Sequence, residues 1–211
     1  MIQPMKAQDA LERLRQGNQR FVASIGNEAA DLDSTRTIEL ARDQKPFAIV
    51  LGCSDARVPA EIVFDQGLGG LFVIRVAGNI VAPSQVGSVE FAASRFGTRL
   101  VVVLGHSECG AVLATIEQLQ QPVGSQSRNL ASIVDRVRPS VEGLLKTELR
   151  HDMDALVRCA VRSNVSVSVN HLRHGSEILE ELIRKDGLRV VGAEYSLETG
   201  MVEFFDDTDT A

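Results

Sequence analysis

Two short clusters concentrate the residue types that bind metals and move protons. The first is Cys53-Ser54-Asp55-Ala56-Arg57; the second is His106-Ser107-Glu108-Cys109-Gly110. Cys53, His106 and Cys109 together offer two thiolates and an imidazole, a borderline-soft donor set that suits tetrahedral zinc. Three protein ligands leave a fourth position for water, which separates a catalytic zinc from a closed structural one. In favourable cases zinc lowers the pKa of that water to about 7. Two thiolates donate more charge than imidazoles, so a metal here is expected to be a somewhat weaker acid. A plainer reading stands beside this one. A cysteine at the end of a buried strand is more often a small core residue, and a His-x-x-Cys pair recurs by chance. The conjunction of both clusters favours the metal.

Each cluster follows a near-continuous apolar run. Phe47-Ala48-Ile49-Val50-Leu51-Gly52 leads into the first and Leu100-Val101-Val102-Val103-Leu104-Gly105 into the second, with a third run at Leu71-Phe72-Val73-Ile74-Arg75-Val76. Runs of this kind suit strands buried on both faces, hence an α/β fold with a mostly parallel central sheet and flanking helices. In such sheets the carboxyl ends of neighbouring strands form the ligand crevice, so both clusters are expected in one site. Helical spacing predicts an amphipathic helix over 6–24, carrying Ala7, Ala10, Leu11, Leu14, Phe21 and Val22. Further helices are expected over 35–44, 84–96 and 176–185, and a polar connector over 26–34. A strand over 189–195 is expected to turn at Glu198-Thr199-Gly200 into an antiparallel partner over 200–205. Residues 164–172 alternate valine with serine like a strand. Val157, Val161, Val165 and Leu172 also share one helical face, which favours a helix.

The chain has 211 residues, 44% of them hydrophobic, enough for one domain spanning 1–211 with a helical arm over 1–34 and an acidic tail over 206–211. Its net charge of −6 argues against nucleic-acid or acidic-membrane partners. No apolar run approaches the roughly 20 residues a bilayer demands, and the first residues lack a signal pattern; the expected location is the cytoplasm. Three cysteines do not make a disulfide scaffold. Cys159 is expected on the apolar side of its helix, and His151, His171 and His174 on the surface. Gly67-Leu68-Gly69-Gly70 lacks the residues a phosphate-binding loop requires.

At Cys53-Ser54-Asp55-Ala56-Arg57-Val58-Pro59 and Gly105-His106-Ser107-Glu108-Cys109-Gly110 the chain resembles the β-carbonic anhydrases. Arg75-Val76-Ala77-Gly78-Asn79 looks like a variant of that family's third motif, and the likeness extends to Gln44-Lys45-Pro46 and Val191-Gly192-Ala193-Glu194-Tyr195. The resemblance implies an antiparallel extension to the parallel sheet, an N-terminal helix packing on a neighbouring subunit, and homodimers or homotetramers. It implies Zn2+ held by Cys53, His106 and Cys109, and an Asp55–Arg57 catalytic dyad orienting zinc-bound hydroxide for the reversible hydration of carbon dioxide to bicarbonate and a proton. It also implies substrate contacts from Gln44, Phe72, Phe91 and the Gly110 N–H. Phe91 stands where many members have tyrosine. Some members close their site at low pH, with the aspartate as fourth zinc ligand, around a bicarbonate pocket that includes a tryptophan. Val50 occupies that position here, although Arg75 and Tyr195 match other parts of the pocket, and Gln44 matches members of the open type. Two other readings keep the metal: hydrolysis of carbonyl sulfide or carbon disulfide, and a non-catalytic zinc-binding regulatory module.

Overall fold

The computed structural model describes residues 4–25, 44–121 and 127–205. The connector expected over 26–34, nearly all of the helix expected over 35–44 and the acidic tail lie outside the described residues.

Helix α1 (Ala7–Ser24) is followed by strand β1 (Ala48–Gly52), the short helix α2 (Ala60–Val63), strand β2 (Leu71–Arg75), helix α3 (Pro83–Arg95) and strand β3 (Leu100–His106). Next come α4 (Gly110–Gln120), α5 (Arg128–Val141), α6 (Met153–His174) and α7 (Glu177–Asp186), then β4 (Arg189–Tyr195) and β5 (Val202–Phe205). The five strands form one sheet in the order β2-β1-β3-β4-β5. β2, β1, β3 and β4 are parallel, and β5 pairs antiparallel with β4.

Both faces of the central strands are buried because consecutive side chains point to opposite sides. Val50, Val102, Leu104 and Ala193 pack with Leu11 and Leu14 of α1 and with Phe64. Ile49, Leu51, Val101 and Val103 pack against Val89 and Ala92 of α3 and against Val165, Val169 and Leu172 of α6. Burying one leucine contributes roughly 1.5–3 kcal/mol, so the apolar stripe of α1 is a substantial anchor onto its own chain's sheet; its other faces are those open to a neighbour.

The ambiguous segment 164–172 is helical within α6, and the buried residues Val157, Val161, Val165 and Leu172 form the stripe that its spacing predicts. Cys159 corrects an expectation: it is exposed, not on the apolar side. At about 100° per residue it stands roughly 200° round the helix from Val157. Helices α4 and α5 were not anticipated. Val134, Val137 and Val141 recur at helical spacing after a Ser127 cap that accepts from the Asn129 N–H, and that pattern was the available signal.

Candidate metal centre

From β1 the chain moves outward to β2, returns across it, and enters β3 on the other side of β1. The carboxyl ends of β1 and β3 therefore border the point where strand order reverses, the ligand crevice of a doubly wound sheet. Cys53 is the first residue after β1, His106 the last of β3, and Cys109 the cap of α4. All three are buried, and their ligand atoms lie within 4.8 Å of one another. Zinc–sulfur bonds of about 2.3 Å at a tetrahedral angle place two sulfurs about 3.8 Å apart, so one ion fits this cluster.

The imidazole is prepared for the role. Nδ1 of His106 lies 2.8 Å from the Ser107 carbonyl oxygen. A carbonyl only accepts, so Nδ1 carries the proton and Nε2 presents its lone pair. That Nε2 is buried with no hydrogen-bond partner among the described residues, an expensive arrangement for a polar atom unless it serves as a ligand. Ser107 is itself fixed: its N–H donates to the Tyr195 carbonyl at 3.0 Å, and its hydroxyl accepts from the Leu197 N–H at 3.0 Å. Glu108 takes a left-handed φ of 56°, turning the chain so that Cys109 follows His106 back into the site.

The sulfurs differ. Cys53 is held well below the usual thiol pKa, chiefly because Cys109 donates to it, with further help from the Gly78 N–H against the cost of burial. Cys109 is pushed up by that same shared hydrogen bond and by its own burial. The pair thus holds one ready thiolate, and a cation that displaces the shared proton makes the second. The first backbone N–H groups of α4, at Ala111 and Val112, favour the Cys109 thiolate.

Asp55 and Arg57 stand at the mouth. Arg57 Nε donates to Asp55 Oδ1 at 2.9 Å and Nη2 to Oδ2 at 2.7 Å, while the Arg57 backbone N–H adds a third bond to Oδ1 at 3.0 Å. This fork holds the Asp55 carboxyl well below the ordinary carboxylate range, so it is ionised at neutral pH. Oδ2 is 4.0 Å from His106 Nε2, which puts the carboxylate beside the position a metal would take. Arg75, at the end of β2, donates through Nε to the Cys53 carbonyl at 3.0 Å and through Nη2 to the Asp55 carbonyl at 2.6 Å. The carbonyls of Cys53 and Asp55 are thus pinned by one guanidinium, a role its position in the sequence did not disclose.

The remaining predicted contacts divide. Gly110 opens α4 and is exposed, and its N–H is one of those that helix geometry leaves without an intrahelical acceptor. Phe72 and Phe91 are brought together, with ring centroids 6.2 Å apart and Phe96 completing the group. Phe72 and Phe96 pack with the core cluster of the α3 face, a different cluster from the one that surrounds Cys53 and Cys109, and Phe91 lies outside both. Phe91 is 54% exposed. Gln44 is exposed ahead of β1. Strand β1 rises roughly 3.3 Å per residue between Gln44 and Cys53, so Gln44 lies beyond the opposite end of that strand. Neither Gln44 nor the phenylalanine pair lines this chain's own metal cluster.

Comparison with known proteins agrees with the geometry. The carbonic anhydrase family profile matches residues 48–202. Carbonic anhydrase 2 of Mycobacterium tuberculosis is 39% identical over 194 residues, covering 90% of this chain and 89% of that protein. The carbonic anhydrase of Mycolicibacterium smegmatis is 36% identical over 202 residues, covering 92% and 91%. Among solved structures, the β-carbonic anhydrase CafA of Aspergillus fumigatus superposes with a TM-score of 0.71 at 26% identity, covering 96% of this chain and 91% of that one.

Proposed function

Because the chain belongs to the β-carbonic anhydrase family, we propose that it hydrates carbon dioxide reversibly to bicarbonate and a proton at a zinc ion held by Cys53, His106 and Cys109. The observation that carries the reading is the convergence of these three buried ligand atoms within 4.8 Å, one of them an orphaned imidazole nitrogen. Zinc, when bound, supplies hydroxide from water at near-neutral pH.

The protein's own groups account for the rest. Asp55 remains a carboxylate throughout the working range, so near the metal position it is an acceptor only and orients a nucleophile's O–H. Arg57 fixes the plane of that carboxylate, leaving one direction for the remaining lone pairs. With Asp55 held by Arg57, a zinc ion bound by the three residues would keep a place for water, as in the open type. The Gly110 N–H offers a donor for a substrate oxygen as charge develops on it. Carbon dioxide is small and uncharged, so an apolar wall suits it. Gln44, Phe72 and Phe91 reach the site from a neighbouring copy, which makes the working unit a homo-oligomer.

Among the described residues no helix is long and apolar enough to cross a membrane, and a reducing compartment such as the cytoplasm keeps the two ligand thiols available. The test is stopped-flow hydration of carbon dioxide by the zinc-loaded protein from about pH 6.5 to about 9, where a rate climbing toward alkaline pH is expected. Zinc bound without any rate would overturn the catalytic reading and favour a regulatory zinc module. Release of hydrogen sulfide from carbonyl sulfide would move the substrate instead.

A further inference from the structure

A buried polar network links α6 to the metal cluster and has no part in the mechanism above. The turn after β2, Ala77–Asn79, has Gly78 and Asn79 both in the left-handed region, at φ 71° and 42°. From this turn the Gly78 N–H donates to Cys53 Sγ at 3.4 Å. The turn is then gripped from α6, where Asn164 Nδ2 donates to the Gly78 carbonyl at 2.7 Å and Ser168 Oγ to the Asn79 carbonyl at 3.0 Å. Asn164 is in turn oriented by Ser140 of α5, whose hydroxyl lies 3.5 Å from Asn164 Oδ1. Asn164, Ser140, Ser168 and Asn79 are all at most 3% exposed.

The partners settle which way the Asn164 carboxamide faces: the Gly78 carbonyl accepts only, so the NH2 end meets it, and the oxygen meets the Ser140 hydroxyl. A polar side chain between Val157, Val161 and Val165 on the buried face of α6 is costly unless its bonds are made. Packing alone is served more simply by an apolar residue of the same volume.

We propose that Asn164 is a positioning residue for the metal centre: it holds the Gly78 turn in the one orientation that keeps a backbone N–H on the Cys53 sulfur. The assignment rests on the metal reading of Cys53, His106 and Cys109. An N–H donated to a ligating sulfur withdraws charge from it, offsetting part of the strong donation expected from two thiolates, and fixes the direction of the sulfur lone pair. Gly78 has no room for a side chain that could do this locally, since an added Cβ would lie 2.9 Å from Ala111 Cβ. The control over Cys53 therefore comes from a helix 86 residues further along the chain.

The test compares the full-length wild type with Asn164→Leu, which keeps the branched outline and the number of heavy atoms and removes both hydrogen bonds, and with Leu172→Ala, which opens the same helix's packing away from the site. Two readouts are taken: zinc affinity by competition with a chromophoric chelator, and the thiolate-to-cobalt charge-transfer band of the cobalt-substituted protein. Asn164→Leu is expected to weaken zinc about tenfold and to shift the band, while Leu172→Ala loses thermal stability with both readouts unchanged. If Asn164→Leu does not fold, Ser140→Ala, which frees the carboxamide without removing it, is expected to shift the band in the same direction. Unchanged affinity and band in the folded variant overturn the proposal, as does an equal loss in Leu172→Ala. A wild-type chain that takes up neither metal removes the metal reading itself, and the inference with it.

Discussion

Gly78→Ala tests how tightly the turn beneath Cys53 is constrained. Two costs are separable. An alanine at φ 71° sits in the left-handed region, which costs roughly 1–2 kcal/mol. Its Cβ would also lie 2.9 Å from Ala111 Cβ and 3.4 Å from Val137 Cγ2. Ala111 is in the first turn of α4, so its methyl moves only with the helix that carries Cys109, and overpacking of this kind costs roughly 1–3 kcal/mol. The sum is about 2–5 kcal/mol, a large share of the roughly 5–15 kcal/mol that holds a typical protein folded. The assay is urea unfolding of the metal-free protein at one fixed concentration, since association would otherwise alter the midpoint. Ala111→Gly removes the clashing methyl at up to about 1 kcal/mol of helix propensity. In a double-mutant cycle it should recover the steric part and leave the backbone part, a coupling of about 1–3 kcal/mol. Additive effects would refute the steric argument, and a Gly78→Ala protein within about 0.5 kcal/mol of wild type would refute the constraint altogether.

Three further outcomes are expected. Cys53→Ala should abolish zinc binding, measured by metal analysis after dialysis, whereas Asp55→Ala should retain zinc and lose carbon dioxide hydration; equal loss of zinc in both would mean that Asp55 is a ligand. The folded-state pKa of Asp55 is depressed, so its stabilising contribution is present above the unfolded value of about 4 and is lost as pH falls toward the folded one. The gap in urea midpoint between wild type and Arg57→Gln should therefore stay level from about pH 8 to about 5 and close below about 4; a gap that widens on acidification contradicts that sign. Cys159 is exposed while Cys53 and Cys109 are buried, so an aromatic disulfide reagent should label a single thiol quickly in the zinc-loaded protein and reach the other two after chelation. Failure to see one fast thiol would mean that Cys159 is covered in the assembly.

Much of the fold and the metal cluster was readable because the signals are local. A buried parallel strand declares itself in a short apolar run such as Leu100-Val101-Val102-Val103-Leu104, and a donor set declares itself by residue type at the ends of two such runs. The alternating stretch 164–172 resolved as helix because the valines also fit a 3.6-residue period. Cys159 was misplaced because a helix's buried arc is set by what it packs against, and one position of rotation separates core from solvent.

The grip of Asn164 on Gly78, of Arg75 on Cys53 and Asp55, and of Ser107 on His106 had no comparable signature. Each depends on the distance and angle at which separate elements meet, and hydrogen bonds fail when displaced by less than an ångström. Residue chemistry and periodicity are properties of the chain and could be read from it. The closure of a polar network between residues 86 apart is a property of packing, and it exists once the sheet and helices have fixed where those residues stand.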